Sequence, residues 1–134
     1  MVPFLPGKRN RLEPRMLLEL DPATADKKWL RELCLNFHRH PDPEVRFQCA
    51  RCMVLFPQDR AVKDVLGHMI RNDASVRNRG QAIQSLILHM DPGDLAAIAA
   101  AYRRDPALRP VIDKMIDDLD HTALRDAIEA WRDR

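Results

Sequence analysis

Apolar residues recur at i, i+3, i+4, i+7 in four places along the chain: Leu30/Leu33/Cys34/Phe37, Val62/Val65/Leu66/Met69, Leu95/Ile98/Ala99/Tyr102 and Leu124/Ala127/Ile128/Trp131. That spacing puts each set on one side of an α-helix, so each predicts a helix with one buried stripe. The sets begin at Leu30, Val62, Leu95 and Leu124, in steps of 32, 33 and 29 residues. Near-constant steps of this size are the distance of a helical-hairpin repeat. Such a unit cannot bury its stripe alone, so neighbouring units are expected to cover one another.

A second pattern runs in phase with the first. Asp42-Pro43-Glu44-Val45-Arg46, Asp73-Ala74-Ser75-Val76-Arg77 and Asp105-Pro106-Ala107-Leu108-Arg109 fall between or after the stripes. Aspartate accepts a backbone N–H at a helix N-cap, and proline at the first helical position forfeits only a donor that would be an orphan there. Each segment therefore predicts the start of a second helix. The apolar positions that follow, Val45/Cys49/Cys52/Phe56, Val76/Gly80/Ile83/Ile87 and Leu108/Ile112/Met115/Leu119, supply its inner stripe.

A helix, a tight turn and then Asp-Pro-x-Val-Arg opening a partner helix, with a small residue four positions after the Val (Cys49, Gly80, but Ile112 in the third copy), resembles the HEAT repeat over roughly residues 24–134. The resemblance implies an all-α fold: a short α-solenoid of about three HEAT-like helical hairpins, residues 24–57, 58–90 and 92–119, plus a terminal capping helix at 121–133. It also implies a polar ladder tying repeat to repeat, made by Asp42, Asp73 and Asp105 with Arg46, Arg77 and Arg109. In the third copy Pro110 follows Arg109 directly, a departure from the pattern.

Residues 1–23 stand before the repeats. Residues 1–12 combine Val2, Phe4 and Leu5 with two prolines, a glycine and a basic cluster, and are expected to strap over the first repeat, a partner-binding or exchange arm being the alternative. Residues 13–20 are expected to form a short capping helix, with Pro14 near its start and Asp21-Pro22 at its end. With 134 residues the chain fits one domain able to bury a core without a disulfide or structural metal. No alternating run predicts a strand, and no stretch predicts a membrane span. The absence of an apolar leader pattern, together with an odd count of three cysteines, gives the expectation of free thiols and a cytoplasmic location.

Candidate chemistry is sparse. Cys34 and His38 share a helix face and Cys49-x-x-Cys52 lies on the next helix, donors that would suit a soft metal. Each cysteine, however, occupies a slot filled by Leu66, Ala99, Gly80, Ile83 or Met115 in the other copies, so packing is the expected role and no metal or cofactor is assigned. The remaining histidines are scattered, and neither a nucleophile–base order nor a glycine-rich phosphate loop is present. No catalytic residue is assigned.

Charge adds one asymmetry. Residues 1–80 carry 15 Lys+Arg against 10 Asp+Glu, a net +5, and residues 81–134 carry 7 against 10, a net −3. In HEAT-like stacks the second helices line the concave face. Setting aside their core stripe leaves Gln48, Arg51 and Arg79 as outward polar residues, with Phe47 as an apolar anchor, and this patch is the expected partner site. An acidic ridge at Asp113, Asp117 and Asp118 would set orientation or repel wrong partners. The function expected is a non-catalytic protein interaction or adaptor module, with a protein partner in a homo- or hetero-oligomer. Nucleic-acid binding through the basic half, as in HEAT-like DNA glycosylases, is the first alternative, and an enzyme subunit resembling the bilin lyases is the second.

Overall fold

The computed structural model describes residues 12–89 and 91–133, so most of the expected strap lies outside the described residues. The described chain is helical throughout, with no strand among the described residues: α1 (Met16–Glu19), α2 (Lys27–Phe37), α3 (Pro43–Cys52), α4 (Arg60–Asn72), α5 (Val76–Ile87), α6 (Pro92–Arg104), α7 (Arg109–Leu119) and α8 (Thr122–Arg132). Single 3-10 turns follow α3 at Met53–Leu55 and precede α7 at Pro106–Leu108. The cap expected at 13–20 is hydrogen-bonded from Glu13 onward, but only its second half is α-helix.

Local chemistry sets the starts. Asp26, Asp42, Asp59, Ser75 and Asp91 each accept a backbone N–H of the first turn of α2 to α6, and His121 does the same for α8. Two starts differ from the sequence expectation. The second helix of the second hairpin is capped by Ser75, and Asp73 instead accepts the Ser75 N–H, two residues earlier. In the third hairpin Asp105 opens only the 3-10 turn. Pro110 is tolerated only in a first turn, and the helix accordingly starts at Arg109 with no side-chain cap.

The packing forms two rows. α3 lies against α1 and α5, and α5 against α7; in the other row α2 lies against α4, α4 against α6 and α6 against α8. The core between the rows is one cluster that includes Leu30, Leu33, Leu66, Ile83, Ile98, Tyr102, Ile112 and Leu124. The first-helix stripes are inside apart from Ala127, which is exposed, and partly covered Phe37, Val65, Leu95 and Trp131. Two second-helix positions expected in the stripe are outside, Val76 at 43 % and Leu119 at 46 % exposure.

The cause of the first is a slip of two residues. Because α5 is capped at Ser75 and α3 at Asp42, the structural equivalence is a step of 33, matching Val45 with Asn78, Cys49 with Ala82, Cys52 with Ser85 and Met53 with Leu86, all buried. Gly80 therefore does not repeat Cys49. It is buried on another side, where an added Cβ would stand 3.4 Å from a methyl of Val111 on α7.

The slip puts polar side chains inside, and each makes one bond, although His89 Nδ1 is buried without a partner among the described residues. Asn78 Nδ2 donates to Pro43 O at 3.0 Å, Ser85 Oγ donates to Ala50 O at 2.6 Å, and His89 Nε2 lies 3.1 Å from Met53 O. Three side chains from α5 and its C-terminal turn thus lace onto the carbonyls of α3 and the turn after it. Pairing of this kind is what makes burial of polar groups tolerable.

Candidate interaction surface

Repeating ion pairs join the hairpins in each row. Between first helices, Arg31 on α2 donates through Nε to Asp59, the N-cap of α4, and 32 residues on Lys63 reaches Asp91 at 2.9 Å and Asp94 at 2.8 Å. The adjacent cations hold the Asp59 and Asp91 carboxyls below the usual range, and the Asp94 and Asp91 carboxylates raise the Lys63 ammonium. Between second helices, Arg46 Nε donates to Asp73 at 3.0 Å and Arg79 Nε to Asp105 at 2.9 Å.

The same two guanidiniums also close the preceding loop, Arg46 onto His40 O and Pro41 O and Arg79 onto Asp73 O. Arg109 repeats that second role, donating to Tyr102 O and Arg103 O, and its guanidinium faces the Trp131 ring at 5.3 Å. Among the described residues both of its hydrogen bonds go to backbone carbonyls, not to a carboxylate.

The expected ladder is therefore corrected in its members. Arg46, Asp73 and Asp105 are in it, Arg79 replaces Arg77, and Asp42 serves as an N-cap, accepting the Glu44 N–H. Arg77 instead lies 3.7 Å over the Phe47 ring and donates to Glu44 at 2.7 Å, which lowers the Glu44 carboxyl. The same contacts surround the expected partner patch. The Arg79 side chain is only 15 % exposed and is committed to Asp105, while Phe47 is covered by Arg77. Gln48 is half-buried between Glu44 and Arg51, and Arg51 is exposed, with no carboxylate partner among the described residues.

The acidic ridge is partly neutralised. Asp113 accepts from the Tyr102 hydroxyl at 3.3 Å and lies 3.7 Å from Arg132, which also donates to that hydroxyl. Asp117 is 3.8 Å from Arg125, and Asp118 accepts from Lys114 at 2.6 Å.

Sequence reasoning missed an apolar row on the second helices. Leu55 ends the 3-10 turn that follows α3, Leu88 directly follows α5 and Leu119 ends α7, and they are 40 %, 51 % and 46 % exposed. Leu88 and Leu119, with Gln84, Ile87, Met115 and Asp118, line an open cavity of about 220 Å³. The signal in the sequence is a leucine at or just after the end of each second helix, but the periodicity places Leu119 in the core stripe and assigns no role to Leu55 and Leu88.

Cys34, Cys49 and Cys52 are buried, unbridged and packed together, and hydrogen bonding among the thiols together with burial pushes Cys34 and Cys52 up in pKa. Among the described residues no group of three or more His, Cys, Asp or Glu side chains is placed so that it could hold a metal ion. His38 belongs to a different neighbourhood, edge-on to His68 at 6.3 Å across a cavity of about 170 Å³ between the first two hairpins. Burial, then Arg39 and His68, lower its pKa. No helix among the described residues is long and apolar enough to cross a membrane.

Compared with protein-family models, curated proteins and solved structures, the chain matches none.

Proposed function

We propose that this chain is a short HEAT-like α-solenoid that works as a protein interaction or adaptor module through the face formed by its second helices. The observation that carries the reading is the row Leu55, Leu88 and Leu119, exposed where the three second helices end, on helices whose packing is held by a buried polar bond and by part-buried ion pairs. Large apolar side chains aligned across rigid elements, with a polar rim, are what a docking surface requires.

The arginines between the hairpins favour protein over nucleic acid as the partner. Arg31, Arg46 and Arg79 are taken up by Asp59, Asp73 and Asp105, so phosphates would have to compete with carboxylates already in place. Binding to random-sequence DNA and RNA is expected to be weak, and a steep fall of affinity with salt would favour the nucleic-acid reading instead.

The direct test is capture from native extract with wild type and with Leu88→Glu, after checking that the two share a thermal midpoint. Loss of the captured proteins in the variant is the expected result. An unchanged set, with losses only on altering residues 1–11 or the Asp113, Asp117 and Asp118 ridge, would place the binding surface elsewhere.

A further inference from the structure

The leucine row ends in opposite charges. At its α3 end, Arg51 stands about one turn before Leu55, exposed and bonded through Nε to the neutral Gln48 Oε1 at 2.9 Å, with no carboxylate partner among the described residues. Its situation differs from that of Arg31, Arg46 and Arg79, each of which has a carboxylate. At the α7 end, Asp118 precedes Leu119 and is held by Lys114, with both side chains more than half exposed. An exposed pair of that kind is worth little and exchanges readily for another cation. α5 lies between α3 and α7, which places Leu88 at the middle of the row.

A surface that runs from cation through three leucines to anion is complementary to itself when turned by half a rotation about its centre. Isologous contacts of this kind close, whereas a head-to-tail arrangement of the same ends would propagate. We propose, building on the interaction-face reading above, that the occupant of this face is a second copy of the chain, docked about a two-fold axis through Leu88. In this arrangement Leu55 and Arg51 of each copy meet Leu119 and Asp118 of the other. The cavity between Leu88 and Leu119, floored by Ile87 and Met115, receives the second copy's Leu55. The apolar contact supplies the attraction, and the two Arg51–Asp118 pairs fix the antiparallel orientation. The row is narrow for a stable interface, so the dimer is concentration-dependent.

The tests use the full chain in sedimentation velocity over a wide concentration range and in oxidative cross-linking. A monomer–dimer equilibrium is expected, with Leu88→Glu raising the dissociation constant by about tenfold or more. Leu88→Cys should form an intermolecular disulfide rapidly, because a residue on the axis meets its own copy, and Leu18→Cys, equally exposed on α1, should not. Arg51→Glu and Asp118→Arg should each weaken the dimer by about tenfold, and the two together should restore most of it.

A protein that stays monomeric at every concentration overturns the proposal, as does Leu88→Cys cross-linking no faster than Leu18→Cys. If removing residues 1–11 converts a monomer to a dimer, the N-terminal segment is the native occupant and the second copy is not. If the chain is monomeric but Leu88→Glu still loses proteins captured from extract, a different protein occupies the face and the interaction reading survives. If neither dimer nor captured protein depends on Leu88, both readings fall.

Discussion

At the scale of single residues, the side chains that hold the hairpins together are ones a hydropathy reading places outside. Ser85 is buried in the last turn of α5, where its hydroxyl donates to the Ala50 carbonyl in the last turn of α3. Ser85→Ala removes the donor and leaves that carbonyl buried without it, which should cost about 1–3 kcal/mol in chemical denaturation. An unchanged midpoint would mean that the carbonyl finds another donor. Gly80 tests the neighbouring contact. An added methyl would stand 3.4 Å from Val111, ordinary van der Waals distance, so Gly80→Ala should be tolerated and gain up to about 1 kcal/mol from helix propensity. Gly80→Leu should overpack and cost about 1–3 kcal/mol. Equal stability of the two variants would show that the Gly80 side of α5 does not abut α7.

At the scale of elements, the apolar stripes predicted the helices, and the one start read correctly as a cap is Asp42 before α3. Asp26, Asp59 and Asp91 cap α2, α4 and α6 in the same way, although the apolar pattern assigns them no role. Asp73-Ala74-Ser75 offers two caps and no proline to choose between them, and the structure uses the second, which turned Val76 outward and moved the bridging role from Arg77 to Arg79. The carbonyl partners of Asn78 and Ser85 lie 35 residues away, beyond any local pattern. Among the caps, Asp59 carries a prediction of its own because it also binds Arg31. Its folded pKa lies below the unfolded value of about 3.9, so the bridge contributes stability that is fully present above that pH and lost as pH falls through the folded value. Asp59→Asn keeps the cap and removes the charge. It should lower the thermal midpoint at pH 7 and flatten the decline below about pH 4; an acid limb identical to wild type would show that the bridge adds nothing. The α7–α8 turn makes a further test. Asp120 sits in the left-handed region at φ 48°, where the His121 N–H returns to Ile116 O. Asp120→Val should cost about 1–2 kcal/mol, and Asp120→Gly should not.

At the scale of the molecule, stability follows from who neighbours whom. α5 has helices on every side of its buried surface, with α3 and α7 in its own row and α4 and α6 across the core, and it carries the polar lacing to α3. α8 ends the other row, with Ala127 and Ala130 facing solvent, and α1 is a single helical turn. In an array of units each stabilised by its neighbours, opening begins at the ends and proceeds inward. Native-state amide exchange should therefore be slowest in α4 and α5 and fastest in α1 and α8. The Arg79–Asp105 bridge is the ion pair between second helices that joins the second hairpin to the third, and Arg79 also closes the loop before α5 through Asp73 O. Arg79→Met keeps the aliphatic bulk and removes both attachments. Exchange in α6, α7 and α8 should then accelerate more than in α2 and α3, separating the third hairpin and its terminal helix from the rest. If all helices accelerate together, the chain opens as one cooperative unit and the hairpins are not energetically distinct. If only residues beside position 79 respond, the bridge is a local contact and the stack is held by the apolar core alone.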